Sequence, residues 1–350
     1  MAYTTINKPE DYFKAVLYTG THASVPTVTV GFKSDFLWLK SRTQTYDHLL
    51  FDTTRGGTKY IASNSNSAES TSGNSITFNA TSFEPTGQAI NESGQGDNNM
   101  ISWSWKANGG TTSSNSDGSV TSTVQANTTA GFSIVTYTAT GSGDITVGHG
   151  LGAAPDMILT KTRSVSYDWR VYMSAGSVGG AGKALQLDGT AALTTNNSYP
   201  SPAPTSTVMT MGRGGDDNNN YANGETLVSY CFRSIKGYSK IGVYSGNADT
   251  DGPFVYTGFK PAWILTKPID ATGNWNLNDN ARNPSNVVNK RLRANGNNVS
   301  SDSDAFDFVS NGFKVRQSGT AYNASGEKYV YIAFAENPLV ATNNVIALAK

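Results

Sequence analysis

The charge balance and the cysteine content exclude several classes of partner before any motif is considered. The chain has 350 residues, with 26 Lys and Arg against 26 Asp and Glu, and a single cysteine. Because it has no net positive charge to bind a phosphate backbone, and no stretch reaches the roughly 18 apolar residues of a membrane span, we expect neither nucleic-acid binding nor membrane insertion. One cysteine also excludes an intrachain disulfide and a cysteine metal knuckle. We predict no cofactor and no metal.

The rest of the composition predicts strands. Ser, Thr and Asn make up about a third of the chain, which also contains 36 Gly and 12 Pro. Turn-forming and β-branched residues in this abundance favour many short strands joined by polar turns. Only Pro9–Lys14 could hold a turn of helix. The predicted fold class is therefore all-β with little helix.

Four landmarks follow one another in the first hundred residues. An apolar strand ends at Tyr18, and the ten-residue segment GFKSDFLWLK then closes on Lys40. A ring side chain, His48, follows eight residues later. The last landmark, Ile101–Trp105, places a large apolar residue at every second position, which predicts a strand with one buried face.

The same landmarks return twice in the same order, which predicts three copies of one module. The matching positions are Tyr137 and Tyr244, Lys161 and Lys267, Trp169 and Trp275, and the alternating strands Val228–Phe232 and Val330–Phe334. We therefore divide the chain into β-repeats at 1–107, 128–235 and 236–338. A Gly/Ser/Thr-rich segment at 108–127 is interpreted as a flexible linker, with Ser119–Val124 left open as a strand, and 339–350 as a C-terminal tail.

Each repeat has room for six or seven strands of about five residues, with turns every 8–12 residues, which is typical of a small antiparallel sandwich. We expect three tandem antiparallel β-sandwich-like repeats, lectin-like or jelly-roll-like. The alternative is one continuous three-part β-structure in which strands are shared between copies. The short junction Arg233–Gly237 predicts that the second and third repeats pack on each other, whereas the polar linker predicts a more loosely attached first repeat.

The ring eight residues beyond each lysine is the candidate ligand-binding position. It is His48 in the first repeat, Trp169 in the second and Trp275 in the third. Aromatic side chains on an exposed sheet face stack on sugar rings and anchor interfaces. A core position would recur in the same way, and His48 argues against three identical sites.

Nothing in the sequence predicts catalysis. Cys231 occupies the strand position of Ser104 and Ala333, so we interpret it as a small in-strand residue. The three histidines are isolated, and no acidic residue recurs in all three repeats. A glycosidase would need two carboxylates converging in a cleft. We therefore predict that the protein is not an enzyme and has no catalytic residue.

Two further polar patterns have ordinary structural interpretations. Asp52 and Arg55 recur as Asp279 and Arg282 with the same spacing, and we interpret each pair as an exposed ion pair that stabilises a turn. The segment Asn247–Gly252, NADTDG, resembles the first half of a calcium loop, but the acidic residue expected at the twelfth position is a glycine.

Long blocks of the sequence carry a family resemblance. They are MAYTTINKPEDYF followed by LYTGT, GFKSDFLWLKSR, TTAGFSIVTYTATGS, VGHGLGAAPDMILTK and DGPFVYTGFKPAWILTK. Together they resemble repeat-containing virion structural proteins of marine bacteriophages, including those of cyanobacteria. The resemblance extends from Met1 to about Pro338. It implies a structural protein of the phage particle and supplies no catalytic residue.

The resemblance leads us to expect a tail-fibre or spike component that attaches the particle to its host by multivalent binding. The alternatives are a capsid decoration protein on the phage head and a polysaccharide depolymerase. The expected partners are other virion proteins, a host cell-surface glycan and further copies of the chain in a homotrimer. Because Met1–Glu10 shows no secretion signal, we expect assembly in the host cytoplasm before incorporation in the virion.

Overall fold

The computed structural model describes residues 4–21, 24–91, 99–175, 182–195, 199, 202–213 and 219–340. Strands form almost all of the regular structure in these ranges, as the composition predicts. The helical segments described are a 3-10 turn at Pro9–Asp11 and one short helix, α1, at Gln88–Asn91. Most of the predicted C-terminal tail, 341–350, lies outside the described residues.

The first repeat is a two-layer β-structure. Its strands are β1 (Phe13–Thr19), β2 (Val28–Thr29), β3 (Phe36–Ser41), β4 (Leu49–Asp52), β5 (Ile61–Ala62), β6 (Asn74–Phe78), β7 (Ser82–Gly87) and β8 (Asn99–Trp105). The larger sheet has the antiparallel order β1-β8-β3-β4-β5, and the smaller one the order β2-β7-β6.

The second repeat has the same plan, with two strands added at one edge of the larger sheet and one at the other. Its strands are β9 (Ser113–Asn115), β10 (Ser122–Asn127), β11 (Phe132–Thr138), β12 (Ile145–Gly148), β13 (Met157–Thr162), β14 (Arg170–Met173), β15 (Lys183–Gln186), β16 (Thr194–Thr195), β17 (Val208–Met211) and β18 (Thr226–Phe232). The larger sheet has the order β16-β15-β14-β13-β18-β11-β10-β9, and β12 pairs with β17 in the second layer.

In the third repeat the two layers are joined into one folded sheet. Its strands are β19 (Ser239–Ser245), β20 (Phe254–Tyr256), β21 (Phe259–Pro268), β22 (Asn276–Asp279), β23 (Val288–Arg293), β24 (Ser301–Val309), β25 (Gly312–Val315) and β26 (Lys328–Pro338). The order is β19-β26-β21-β22-β23-β24-β25-β20. The same five-strand order recurs in the three repeats, as β1-β8-β3-β4-β5, β11-β18-β13-β14-β15 and β19-β26-β21-β22-β23. The predicted all-β, sandwich-like class is confirmed.

The predicted linker is wrong in part, because segment 108–127 supplies strands to the second repeat. Strand β10 pairs along β11, with Val124 opposite Val135. Val124 is buried, and Gln125 donates from Nε2 to the Thr53 hydroxyl of the first repeat at 2.9 Å. The polar composition suggested a flexible spacer, but the buried residues that alternate with exposed ones around Val124 allow β10 to extend the sheet beyond β11.

The two faces of each central strand belong to different cores. In β3, Phe36 and Trp38 lie in a core that all three repeats share, whereas Leu37 and Leu39 lie in a core confined to the first repeat. Strands β13 and β21 divide their side chains in the same way. In the described part of the chain, the repeats are thus separate sheets that share a core and no strands, and the first repeat contributes to that core like the others.

Trp105 lies where the three repeats meet. Its ring centroid is 4.9–6.2 Å from five other rings, which are Phe13, Phe36, Phe232, Trp263 and Phe334. These rings come from all three repeats, so the central aromatic cluster links elements that are far apart in the sequence.

We expect Trp105→Ala to lower the free energy of unfolding by about 3–5 kcal/mol, because it removes a fully buried ring and leaves a cavity among its neighbours. Urea denaturation followed by intrinsic fluorescence and circular dichroism measures the change. Phe254, which is 48% exposed, supplies the matched control, and Phe254→Ala should change stability by less than about 0.5 kcal/mol. Equal effects of the two substitutions would contradict a shared core at Trp105.

Candidate functional site at the seams between repeats

The contacts between repeats form three seams, which bring the sequence-predicted site residues together with neighbouring polar groups. We call the contact of the first with the second repeat the first seam, that of the second with the third the second seam, and that of the third with the first the third seam. Equivalent residues of each repeat lie at these seams, so each seam can be compared with the other two.

Trp169 and Trp275 join the repeats and are not accessible to a ligand. Both side chains are 0% exposed. Trp169 donates from Nε1 to the Ala62 carbonyl at 2.8 Å across the first seam, and Trp275 donates to the Gln186 carbonyl at 2.6 Å across the second. Their prediction as ligand-binding residues is therefore wrong, since no ring face is open for stacking.

His48 occupies the same position at the third seam and is also 0% exposed. Its Nδ1 accepts a 2.9 Å hydrogen bond from Trp38 Nε1, and its ring stacks on Trp103 with centroids 6.4 Å apart. Burial lowers the pKa of His48 well below its usual value, and the charges of Lys40 and Arg282 act in the same direction. The imidazole is a neutral core group, so its prediction as a binding residue is wrong as well.

The three lysines that close the repeated segment are buried at the ends of their strands. Lys161 Nζ donates to the Asn66 carbonyl of the first repeat at 3.0 Å, and Lys267 Nζ donates to the Thr190 carbonyl of the second at 3.0 Å. Lys40 Nζ donates to the Ser41 and Gln44 carbonyls of its own repeat. Burial lowers the pKa to about 7 for Lys40 and about 8 for Lys161 and Lys267.

A polar pocket opens at the first seam, beside Trp169. Its cavity volume is about 310 Å³. The lining residues are Asn64, Ser65 and Asn66 of the first repeat and Asp168, Gln186, Asp188 and Gly189 of the second. Amide, carboxylate and hydroxyl groups thus supply both hydrogen-bond donors and acceptors to one cleft.

The two carboxylates of this pocket occupy positions that form a hydrogen-bonded pair in the other repeats. In the first repeat Asn64 donates from Nδ2 to Asp47 at 2.7 Å, and in the third Asn295 donates to Asn274 at 2.9 Å. The corresponding residues of the second repeat are Asp168 and Asp188. Burial, together with the charge of Asp168, raises the pKa of Asp188 to about 7.

Sequence reasoning missed this pair because it looked for acidic residues present in all three repeats. The usable signal was the residue immediately before each ring and the residue three positions after Ile61, Leu185 or Leu292. The backbone N–H of Trp169 donates to Asp188 Oδ1 at 3.1 Å, and that of Trp275 donates to Asn295 Oδ1 at 2.9 Å. This position is therefore tied to the ring in every repeat.

The Asp–Arg pairs are not exposed, contrary to the prediction. The side chains of Asp52 and Arg55 are 0% exposed, as are those of Asp279 and Arg282. Each aspartate also accepts a hydrogen bond from another repeat, from the Tyr230 hydroxyl to Asp52 at 2.7 Å and from Trp103 Nε1 to Asp279 at 3.1 Å. The sequence showed the spacing of each Asp–Arg pair, but not the hydrogen-bond donor that each aspartate finds in another repeat.

Cys231 is buried in β18, with its Sγ 3.7 Å from the Met209 sulfur. Burial raises the pKa of the Cys231 thiol to about 12, so the thiolate is not available near neutral pH. This agrees with the interpretation of Cys231 as a small in-strand residue.

The possible calcium loop uses its oxygens internally. Asn247 Oδ1 accepts from the backbone N–H of Asp249 and from Asn323 Nδ2, and Asp251 pairs with Lys314 at 2.8 Å. Across the described ranges, no group of three or more His, Cys, Asp or Glu side chains could hold a metal ion.

We expect Asp188→Asn to stabilise the protein at pH 7 by at least about 1 kcal/mol, because the amide can donate to Asp168 as Asn64 does to Asp47. The folded state binds an extra proton between the pKa of the unfolded Asp, about 3.9, and about 7. This contribution to stability is complete below pH 4 and is lost as the pH rises to 7. Thermal unfolding of both proteins between pH 4 and 8 measures the difference, which should grow with pH.

The control for that experiment is Asn64→Asp, which places a second carboxylate beside Asp47. This substitution should lower the melting temperature at pH 7, and the melting temperature should return toward that of the unmodified chain as the pH falls. A difference between Asp188→Asn and the unmodified chain that does not depend on pH would contradict the raised pKa of Asp188.

In the comparisons with known proteins, a single family match spans all three repeats. A family model described as a domain of unknown function, DUF7483, matches residues 8–338 as one unit. No curated protein matches the chain. No helix in the described part of the chain is long and apolar enough to span a membrane. Because the match covers nearly all of the sequence, the chain belongs to the DUF7483 family.

Proposed function

We propose that the chain is a structural protein of a phage particle that acts as a tail-fibre or spike component and binds a host-surface glycan. The observation that carries the proposal is the polar pocket at the first seam, between Asn66 and Asp188. Its amide and carboxylate groups suit a ligand rich in hydroxyl groups, to which they can both donate and accept.

The position of the pocket between two packed repeats supports ligand binding in a rigid site. Lys161 donates to the carbonyl of the lining residue Asn66, and the backbone N–H of Trp169 donates to the lining residue Asp188, so both walls are held by buried residues. A single pocket of this size would bind one or two sugar units weakly. Several copies on one particle, as in the expected homotrimer, would raise the avidity by linking such weak sites.

The first test blocks the pocket without disturbing its walls. Asn66 is exposed at the rim, and Asn66→Trp would place a large ring across the opening. We expect adsorption of the purified protein to host cells to fall by about tenfold or more, which corresponds to about 1.4 kcal/mol of binding free energy. Flow cytometry with labelled protein measures adsorption.

Asn297→Trp is the matched control, because Asn297 lies five residues beyond Leu292 just as Asn66 lies five beyond Ile61, and it is also exposed. Adsorption should be unchanged in this variant. An equal loss in both variants, or in neither, would contradict glycan recognition by the first-seam pocket.

The second test locates the protein in the particle. We expect an antibody against the chain to label the phage tail in electron micrographs of intact virions. Label on the shell with none on the tail would overturn the tail-fibre assignment in favour of a capsid decoration protein. Release of reducing sugar from host polysaccharide would instead favour a depolymerase, with Asp168 and Asp188 as its carboxylates.

A further inference from the structure

The first and third seams contain the same pair of guanidinium groups, but only the first seam has a carboxylate between them. At the first seam Glu69 accepts from Arg55 Nη1 at 2.9 Å. It also accepts from Arg163 Nε and Nη2, both at 2.9 Å. One carboxylate thus satisfies two arginines that belong to different repeats, with the bidentate geometry that arginine favours.

The third seam reproduces the arginine of the turn. Arg282 donates from Nε to Asp279 at 2.6 Å and from Nη2 to the Leu277 carbonyl at 2.9 Å. Arg55 makes the same two bonds, to Asp52 at 2.5 Å and to the Leu50 carbonyl at 3.0 Å. The two guanidinium groups are therefore held in the same way.

The second arginine and the backbone beside it are also reproduced. Arg42 follows Lys40 by two residues, as Arg163 follows Lys161. The backbone N–H of Ser300 donates to the Arg42 carbonyl at 2.9 Å, and that of Glu69 donates to the Arg163 carbonyl at 2.8 Å. Ser300 therefore stands at the position of Glu69, and its side chain is too short to reach either guanidinium as Glu69 does.

The atoms left without a partner are those that Glu69 satisfies at the first seam. Arg42 Nε and Arg282 Nη1 are buried and have no hydrogen-bond partner among the described residues, and the same is true of Ser300 Oγ. An unsatisfied buried donor costs about 1–3 kcal/mol, and a charged one costs more. Burial and the neighbouring charge of Arg282 lower the pKa of Arg42, and the charge of Asp279, which is already paired with Arg282, offsets this only in part.

At the second seam, apolar residues occupy the positions of the charged side chains. Its equivalents of the aspartate, the glutamate and the second arginine are Met173, Leu193 and Ile269, and the backbone N–H of Leu193 donates to the Ile269 carbonyl at 2.9 Å. All three side chains are apolar and lie in or against the shared core. The third seam instead keeps both arginines and has lost only the carboxylate.

We propose that the third seam is a binding site for a carboxylate from solution, which takes the place that the Glu69 carboxylate occupies at the first seam. The ligand class is a small monocarboxylate or a carboxylate on a larger molecule, held by Arg42 Nε, Arg282 Nη1 and the Ser300 hydroxyl. A ligand would enter from the solvent-facing side of the seam, where Arg42 and Ser300 are only partly buried and the side chain of Glu69 at the equivalent place is 10% exposed.

The probe is acetate, exchanged for chloride at constant ionic strength while thermal unfolding of the full chain is followed. Binding to the folded state alone should raise the melting temperature saturably, by about 2 °C or more once acetate is well above its dissociation constant. Ser300→Glu should raise the melting temperature in chloride and remove the acetate response, because its own carboxylate fills the site. Ser300→Gln, of equal size and no charge, should not reproduce this stabilisation.

A reciprocal variant tests the same geometry from the other side. Glu69→Ser should lower the melting temperature in chloride and respond more strongly to acetate, because it creates a second empty site at the first seam. Isothermal titration should find one acetate per unmodified chain and none per Ser300→Glu chain. The proposal is overturned if the unmodified chain and Ser300→Glu respond equally to acetate, or if Ser300→Glu is no more stable in chloride than Ser300→Gln.

Discussion

The structure depends on the burial of a second sheet face in each repeat. A sandwich needs only one apolar face per sheet, but β3, β13 and β21 carry large apolar side chains on both faces. One face is covered by the small second layer of the same repeat, and the other has no cover within its own repeat. Three such faces enclose the shared core around Trp105, so no repeat can bury its inner face without the other two.

This constraint explains why the landmark residues recur. The ring after each lysine lies at a seam, and Lys161 and Lys267 donate across theirs, whereas Lys40 bonds within its own repeat. The asparagine or aspartate tied to the ring holds it from the same repeat. Trp169 and Trp275 seal two seams by bonding to backbone carbonyls, and His48 fills the third with a smaller ring. Recurrence at fixed spacing therefore reports the needs of packing and does not mark a repeated ligand site.

Function is better sought where the repeats differ. The second repeat has two aspartates where the others have a hydrogen-bonded pair, and there the polar pocket opens. The third seam keeps two arginines but has Ser300 in the place of Glu69. The third seam leaves buried polar atoms without a partner, and the pocket places two carboxylates close enough for the charge of one to raise the pKa of the other. These are the physical reasons for assigning ligands to them.

Local sequence patterns were sufficient to predict the strands, the threefold repeat and the all-β class, because alternation and turn residues act over a few positions. The repeated patterns also identified residues of the seams, such as Asp52 and Trp169, but did not show what these residues contact. The packing of the repeats was needed to show that the rings are core and that Arg42 and Arg282 lack a carboxylate, because the seams bring together residues more than 100 positions apart. The strands in 108–127 pair locally with β11, but their polar composition hid them. Burial on both faces of a sheet has no signature in local periodicity.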